Sequence, residues 1–321
     1  MTASGPGPRP VRTIFLGSGR FGLESLQRLA DDRSVVELVA VVTAPARAAG
    51  RGKVLTATPV HDLALAAGLP TVLTPERLRS PGSIAAVLEL GPELLVLADY
   101  GQIVPEALLD LPHGALNLHP SLLPRYRGAT PVSAAILAGD TETGVTLMRM
   151  DPGLDTGPIV AQGRHRLDGT ETAVDLESAL AVEAADLLQA SLEPWLRGEL
   201  PAVPQPTNGV VTTRPSRRED GRLDATRTAV ELERQVRAFI PWPGSFVETA
   251  TLGRLIVDDA TAAPGEPGDT PGHLVADGTG LAIATSVGRL RLGRVRLAGR
   301  RPMSASELRR GAPGLIGSVV R

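Results

Sequence analysis

The chain has 321 residues, a formal net charge of −2 and a hydrophobic content of 42%. That length predicts two domains, and the apolar runs are too short to span a membrane. The chain contains no cysteine, which excludes disulfides, thiolate metal sites and a cysteine nucleophile and suits a cytoplasmic protein. Residues 1–11 are rich in Pro and Gly and lack the apolar segment of a signal peptide, so we expect a disordered tail there.

The charge is unevenly distributed. From Arg214 to Arg321 there are 17 arginines and 12 acidic residues, a net charge of +5, so the preceding residues carry −7. A basic half on an acidic protein predicts a polyanionic partner, although ordinary surface solvation explains the same pattern equally well. The chain has two Trp, two Tyr and four Phe, too few for single-strand binding through many stacked bases.

Strand and helix signals alternate through the first two thirds of the chain. Apolar strands are predicted at 11–16, 35–42, 71–73, 94–98 and 115–119, and helices at 21–30, 59–67, 81–90 and 105–109. Such strands, separated by helices, are typical of a parallel sheet that is covered on both faces. Two further strands at 143–150 and 158–166 and a long helix at 170–196 complete a Rossmann-like α/β domain over residues 12–197.

The C-terminal part has a different pattern. Residues 198–218 are rich in Pro and have no helical period, so we predict a linker. A helix at 229–237 and short strands separated by Gly and Pro predict a small, OB-like β-barrel over residues 219–321. In its last predicted strand, at 289–297, arginines alternate with aliphatic residues in a period of two that is broken at Gly293. This pattern predicts one arginine-lined face: Arg289, Arg291, Arg294 and Arg296.

The first strand is followed by a literal G-x-G-x-x-G, formed by residues 17–22. This pattern is typical of dinucleotide sites, but such sites need an acidic residue at the end of the second strand to hold the ribose. Here that strand ends in Val42-Thr43-Ala44. We therefore interpret the glycines as a tight turn whose amides can face an anion. A nucleotide-dependent oxidoreductase remains an alternative.

A small cationic loop, residues 45–53, follows the second strand. Arg51 lies between two glycines, so it can approach a phosphate backbone closely. A mobile surface loop explains the same composition.

The strongest candidates for chemistry lie at the end of the fifth predicted strand. Asn117 and His119 alternate along it, so both side chains point to one face, at the carboxyl edge where α/β sheets bind ligands. Asp155 follows 36 residues after the histidine, between two glycines. An amide that donates to an oxyanion, an imidazole that titrates near neutral pH and a carboxylate that orients it can together move an acyl group between nitrogens. A core histidine, a strand cap and a turn aspartate are the structural alternatives.

At these residues the sequence resembles the 10-formyltetrahydrofolate-dependent formyltransferase family. The family signature is Asn-x-His, a Ser-Leu-Leu-Pro segment and a later Gly-Leu-Asp-Thr-Gly, here Asn117, His119, Ser121–Pro124 and Gly153–Gly157. Four further segments resemble the branch that formylates methionyl-tRNA: residues 47–53, 219–224, 237–244 and 299–304. The resemblance covers residues 12–315.

The resemblance implies an activity and a set of site residues. Asn117 and a protonated His119 would stabilise the tetrahedral oxyanion, and Asp155 would orient His119. The co-substrate would be 10-formyltetrahydrofolate without a metal, the acceptor would be initiator methionyl-tRNA, and no obligate protein partner or membrane is implied. The implied folate-binding residues are Tyr100, Gly101, Ser121, Leu122, Leu123 and Pro124, and the implied tRNA-binding residues are Arg47, Arg51 and Lys53.

The chain departs from the family pattern in several places. The first turn, usually Gly-Thr-Pro, is Gly17-Ser18-Gly19, and Asp99 stands where a small apolar residue is usual, near the expected pterin pocket. Ala46 and Ala48 replace an Asp and a Pro of the acceptor loop, and Ala225 replaces a Trp. A folate-dependent transferase acting on a small amine, such as an amino sugar, and a non-catalytic tRNA-binding protein stay open as alternatives.

Overall fold

The structure is a computed structural model that describes residues 9–49 and 54–321. The described chain packs as two compact units, and neither unit is one continuous stretch of sequence. The first contains the chain up to Gly128, Glu142–Arg166 and Glu177–Thr212, and the second contains Ala129–Thr141, Leu167–Leu176 and Thr213–Arg321. Residues 198–212, part of the segment predicted to be a linker, therefore pack with the first unit.

The first unit is built on one large sheet. Its strands are β1 (Val11–Gly17), β2 (Val36–Val42), β3 (Arg47–Ala49), β4 (Val54–Thr56), β5 (Val72–Leu73), β6 (Leu94–Ala98), β7 (Ala115–His119), β8 (Arg127–Gly128), β9 (Glu142–Arg149) and β10 (Ile159–Arg166). Seven of them pair in the order β10-β9-β7-β6-β1-β2-β5. The five strands from β7 to β5 are parallel; β9 pairs antiparallel with β7, and β10 pairs antiparallel with β9. The predicted Rossmann-like sheet is confirmed.

Several helices begin at a side chain that caps the first turn. They are α1 (Leu23–Asp31), α2 (Pro59–Ala66), α3 (Pro81–Leu88), α4 (Pro131–Ala138), α5 (Ala173–Leu196), α6 (Ala229–Ala238) and α7 (Ala305–Gly311). Thr58 and Ser80 each precede a proline and accept a hydrogen bond from the first turn of their helix, which satisfies a backbone donor that has no partner within the helix. Among the described helices, none combines the length and hydropathy needed to cross a bilayer.

The core of the first unit explains why its central strands are apolar throughout. All five residues of β6 are buried, because helices and loops cover both faces of the sheet. Leu95, Leu97 and Ala115 belong to one core cluster. Since side chains alternate along a strand, Asn117 projects from the same sheet face as Ala115, at the edge of this cluster.

The second unit contains two four-stranded antiparallel sheets. β11 (Thr212–Thr213) spans the sequence position at which the division between the units falls. The strands that follow are β12 (Ser245–Thr249), β13 (Gly253–Val257), β14 (Ala260–Ala263), β15 (Leu274–Asp277), β16 (Gly280–Ala284), β17 (Arg289–Leu292), β18 (Arg294–Leu297) and β19 (Met303–Ser304). The sheets have the orders β12-β13-β18-β19 and β14-β17-β16-β15. Apolar residues from both sheets form one core, which agrees with the small barrel predicted from the sequence.

The predicted arginine-lined strand is wrong in one respect. The segment is two strands that belong to different sheets, separated at Gly293. Arg289 is buried, and its guanidinium donates to both carboxylate oxygens of Asp269 at 2.6 and 2.5 Å. Arg289 and Arg291 keep the predicted alternation, but Arg289 is buried because Asp269 neutralises its guanidinium, which a period-two pattern cannot show.

Candidate active site

The carboxyl ends of three neighbouring parallel strands form the floor of the site. β1 pairs with β6 up to Gly17 and Ala98, and β6 pairs with β7 so that Leu97 lies beside Asn117. The residues that follow these strands therefore emerge at one edge of the sheet, where parallel α/β folds bind ligands.

His119 and Asp155 meet at this edge. Nδ1 of His119 lies 3.7 Å from Oδ2 of Asp155, and both side chains are largely shielded from solvent. The distance is too long for a hydrogen bond, so the carboxylate acts on the ring through its charge. The structure thus brings together two of the three predicted catalytic residues.

The conformation of Asp155 is unusual and well supported. Its φ of 51° lies in the left-handed region, which few residues other than glycine adopt and which costs free energy unless the surroundings stabilise it. Its Oδ2 accepts a hydrogen bond of 2.7 Å from the amide of Gly128. Its carbonyl oxygen accepts one of 2.8 Å from Gln205, which also binds the carbonyl of Gly157. These contacts fix the carboxylate in front of the imidazole.

The other ring nitrogen of His119 is also occupied. Nε2 lies 2.9 Å from the carbonyl oxygen of Tyr126. Because a carbonyl only accepts, Nε2 must carry the hydrogen of this bond, and in a neutral ring the free lone pair is then on Nδ1. Burial lowers the pKa of His119, and the opposing effects of Asp155 and the Tyr126 carbonyl are smaller. Burial therefore favours the neutral ring.

The Ser-Leu-Leu-Pro segment is held by its own hydrogen bonds. Thr146 on β9 donates to the carbonyl of Ser121 at 2.6 Å and accepts from the amide of Leu123 at 3.1 Å. The Ser121 hydroxyl donates to the carbonyl of Arg125 at 2.7 Å. The hydroxyl and the carbonyl of Ser121 are therefore already hydrogen-bonded within the protein. The segment can contact a ligand through its shape, but these groups are not free to bind it.

Two polar groups near the site have no partner among the described residues. The hydroxyl of Tyr100, just beyond β6, is buried without a hydrogen bond, and burial raises the pKa of Tyr100 to about 12. The side chain of Asn117 is half-buried and makes no hydrogen bond among these residues. An unpaired buried hydroxyl is costly, so both positions fit a polar ligand. Gly101 is exposed with open space around it.

The predicted tRNA-binding loop is only partly described. β3 and β4 pair as an antiparallel hairpin in which Arg47 lies opposite Thr56, and Arg47 is exposed. Val54 and Leu55 on the second strand are also exposed. Arg51 and Lys53 lie outside the described residues.

Sequence reasoning did not identify Gln205. Its Oε1 accepts hydrogen bonds of 3.0 and 2.7 Å from Arg127 while its amide nitrogen binds the Asp155 loop. A single glutamine in a Pro-rich segment has no motif, and only its tertiary contacts show its role. Within residues 9–49 and 54–321, no group of three or more His, Asp or Glu side chains could hold a metal ion.

Comparison with known proteins identifies relatives along nearly the whole chain. The formyl transferase family model matches residues 11–192, and the model of the family's C-terminal domain matches residues 215–313. The methionyl-tRNA formyltransferase of Myxococcus xanthus is 43% identical over 308 residues, covering 94% of this chain and 96% of that protein. The protein of the same name from Roseiflexus sp. is 42% identical, with coverage of 94% and 93%.

Solved structures share the fold at much lower identity. WlaRD, a sugar 3N-formyl transferase crystallised with dTDP and 5-N-formyl-THF, has a TM-score of 0.65 at 16% identity and covers 92% of this chain and all of that one. HypX from Aquifex aeolicus, in complex with tetrahydrofolic acid, has a TM-score of 0.61 at 17% identity, covering 93% of this chain and 46% of that one. Together with the matched models and relatives, these findings confirm the predicted resemblance: the chain belongs to the formyl transferase family and carries both of its domains.

Proposed function

We propose that this protein transfers the formyl group of 10-formyltetrahydrofolate to the α-amine of methionyl-initiator-tRNA. The observation that carries the proposal is the Asn117, His119 and Asp155 arrangement in a chain whose relatives named methionyl-tRNA formyltransferase match it over 94% of its length. The substrate follows from those relatives, since the sugar-modifying structures share only the fold.

The chemistry begins with attack of the neutral amine on the formyl carbon. A carbon–nitrogen bond forms, and the carbonyl oxygen becomes a tetrahedral oxyanion that the Asn117 amide stabilises by donating a hydrogen bond. Collapse of the intermediate breaks the bond to N10 of the folate. One proton must move from the attacking nitrogen to N10, so the site needs a group that can hold a proton briefly.

His119 supplies that group. A neutral ring leaves the lone pair of Nδ1 free, and a proton that reaches Nδ1 is stabilised by the Asp155 carboxylate 3.7 Å away. In this proposal the ring acquires its charge during the reaction, whereas the resemblance implied a ring that is protonated from the start. Asp155 is positioned for this role by Gly128 and Gln205.

The folate fits the region between Tyr100 and the segment 121–124. The unpaired Tyr100 hydroxyl can bind a polar edge of the pterin, and the internally bonded segment offers a rigid wall. When bound, the co-substrate supplies the formyl group; the residues around it orient that group toward Asn117 and His119.

The tRNA would contact the hairpin of β3 and β4 and the arginines of the second unit. Arg294, Arg300 and Arg301 are exposed and have no acidic partner among the described residues. All three lie on β18 or in its connection to β19. Arginines that no internal acid neutralises are available to phosphates, and such contacts make affinity fall steeply with salt. The proposal also includes Arg51 near the acceptor stem.

The test is formyl transfer from 10-formyltetrahydrofolate to methionyl-initiator-tRNA, with methionyl-elongator-tRNA and free methionine in parallel. Formylation of the initiator species alone would establish activity and selectivity together. Transfer to none of the three, with the folate still bound, would contradict the proposal and direct attention to small amino-sugar acceptors.

A further inference from the structure

Asp99 occupies a place between the reacting centre and the first glycine turn. It follows β6, whose last residue, Ala98, pairs with Leu118, the residue before His119. Adjacent strands are about 4.8 Å apart, so Asp99 and His119 follow neighbouring strand positions at the same edge of the sheet. The φ of Asp99 is 53°, in the left-handed region that aspartate tolerates better than most residues.

The side chain of Asp99 is directed toward β1 and away from β7. A Cβ atom on Gly19 would come to 2.6 Å from Cγ of Asp99, closer than real Cβ contacts allow. The φ of Gly19 is not in the left-handed region, so the backbone does not require glycine there. Two departures from the family pattern are therefore one feature, since the absence of a side chain at 19 makes the space for the carboxylate at 99.

Asp99 is exposed as a residue, and its carboxylate has no hydrogen bond or ion pair within the described part of the chain. Surrounding protein still desolvates it and raises the pKa of Asp99. Two charged groups face this region, Glu177 on α5 and Arg20. Burial and the negative charge of Asp99 both raise the pKa of Glu177, and the positive charge of Arg20 lowers it. A carboxylate only accepts hydrogen bonds, so a substrate group that bonds to Asp99 must be a donor.

Distance limits which part of the acceptor can donate. A side chain directed toward β1 lies one to two strand spacings, about 5–10 Å, from an amine above His119. In an aminoacyl ester, the terminal ribose lies at that separation from the α-amine, and its free 2′-hydroxyl is a donor. Phosphates would be repelled by the negative charge of Asp99. We propose that Asp99, whose carboxylate fills the space beside Gly19, accepts a hydrogen bond from the 2′-hydroxyl of the terminal ribose.

This inference rests on the proposed function and refines it. The 2′-hydroxyl is the group by which a protein distinguishes RNA from DNA at one position, so Asp99 would make the site selective for a ribose 3′-end. Hydrogen bonds to charged groups typically contribute enough for about a 10- to 100-fold preference.

The experiment compares two substrates and several variants. Methionine is esterified to the 3′-hydroxyl of initiator tRNA that ends in adenosine or in 2′-deoxyadenosine, and kcat/KM is measured for both. The unsubstituted protein should prefer the ribose end about 10- to 100-fold. Asp99→Ala should reduce that preference to near unity, and Asp99→Asn, which keeps a neutral acceptor oxygen, should retain an intermediate one.

Gly19 provides a second, independent variant. Gly19→Ala should lower the preference by displacing the carboxylate, and it should have no further effect in an Asp99→Ala background. Asp110→Asn is the matched control, because Asp110 is an exposed acid that precedes the opposite end of β7. Melting temperature and binding of 5-formyltetrahydrofolate show whether each variant is folded with an intact folate site.

The outcomes separate the two proposals. If the unsubstituted protein formylates the tRNA but shows no ribose preference, or Asp99→Ala keeps it, this inference fails and the proposed function stands. If Asp99→Ala lowers kcat/KM equally on both substrates and this loss becomes smaller as pH rises, the carboxylate contacts the amine instead of the ribose. That result would also overturn the inference. If no methionyl-tRNA is formylated, both proposals fall.

Discussion

The imidazole of His119 and the carboxylate of Asp155 face each other across 3.7 Å, although 36 residues separate them in the chain. His119 comes from a buried strand end, and Asp155 comes from a glycine-flanked loop. The loop is fixed by the amide of Gly128 and the side chain of Gln205, which belong to two further segments. The pair is thus a product of four separate stretches of sequence.

The charge of Asp155 can be tested without removing its shape. Asp155→Asn can still accept a hydrogen bond from the Gly128 amide but no longer stabilises a proton on His119. We expect kcat to fall by about 10²-fold or more, with little change in KM for the tRNA or in melting temperature. Because Asp155 raises the pKa of His119, an NMR titration should find that pKa lower still in the variant. A kcat within twofold of the original would contradict this role.

The oxyanion role of Asn117 predicts a loss confined to turnover. Asn117→Ala removes the amide donor, and loss of one oxyanion donor typically lowers kcat by about 10²–10³-fold. Steady-state kinetics should show this decrease, while folate and tRNA affinities stay near their original values. A large rise in KM with an unchanged kcat would show instead that Asn117 contributes to ground-state binding.

Gln205 should matter to catalysis although it touches no proposed reacting atom. Gln205→Ala removes the bonds to the carbonyls of Asp155 and Gly157 and to Arg127, which frees the loop that positions Asp155. A small displacement of such a group can cost about 10²-fold in rate, so we expect a kcat loss of roughly ten- to a hundredfold. Thr207→Ala, an exposed neighbour, is the control. If Gln205→Ala has the same kcat as Thr207→Ala, Gln205 does not position Asp155 and its segment serves only as a linker.

Removal of the Tyr100 hydroxyl should have opposite effects on the stability of the free protein and on its affinity for folate. Tyr100→Phe removes a buried hydroxyl that has no partner, so the melting temperature of the free protein should rise or stay constant. If the folate binds that hydroxyl, its Kd should increase by a factor that corresponds to about 1 kcal/mol. Calorimetric titration with 5-formyltetrahydrofolate measures the second effect. An unchanged Kd would place the pterin elsewhere.

The arginines of the second unit should divide into two classes. The double substitution Arg300→Ala and Arg301→Ala should weaken tRNA binding and reduce the slope of log K against log salt by about 2, without loss of stability. Arg289→Ala should lower the melting temperature, because Arg289 is buried against Asp269. A salt slope that the double substitution leaves unchanged would exclude this surface from the tRNA interface.

The sequence by itself determined the strands, the sheet class and the catalytic candidates. Residues 94–98 and 115–119 were predicted as strands with the bounds that the structure shows, because buried parallel strands are apolar throughout and are bounded by turn residues. Asn117 and His119 could be assigned to one face because side-chain alternation is a local property.

Only the tertiary structure decided which distant residues act on these groups. The Tyr126 carbonyl on Nε2, the Gln205 bonds to the Asp155 loop and the fit of Asp99 against Gly19 join segments that no local period relates. The protonation state of His119 also depends on burial, which follows from packing. For the same reason the burial of Arg289 was not predicted: a strand pattern gives the face of a side chain, but its neutralising partner comes from another part of the fold.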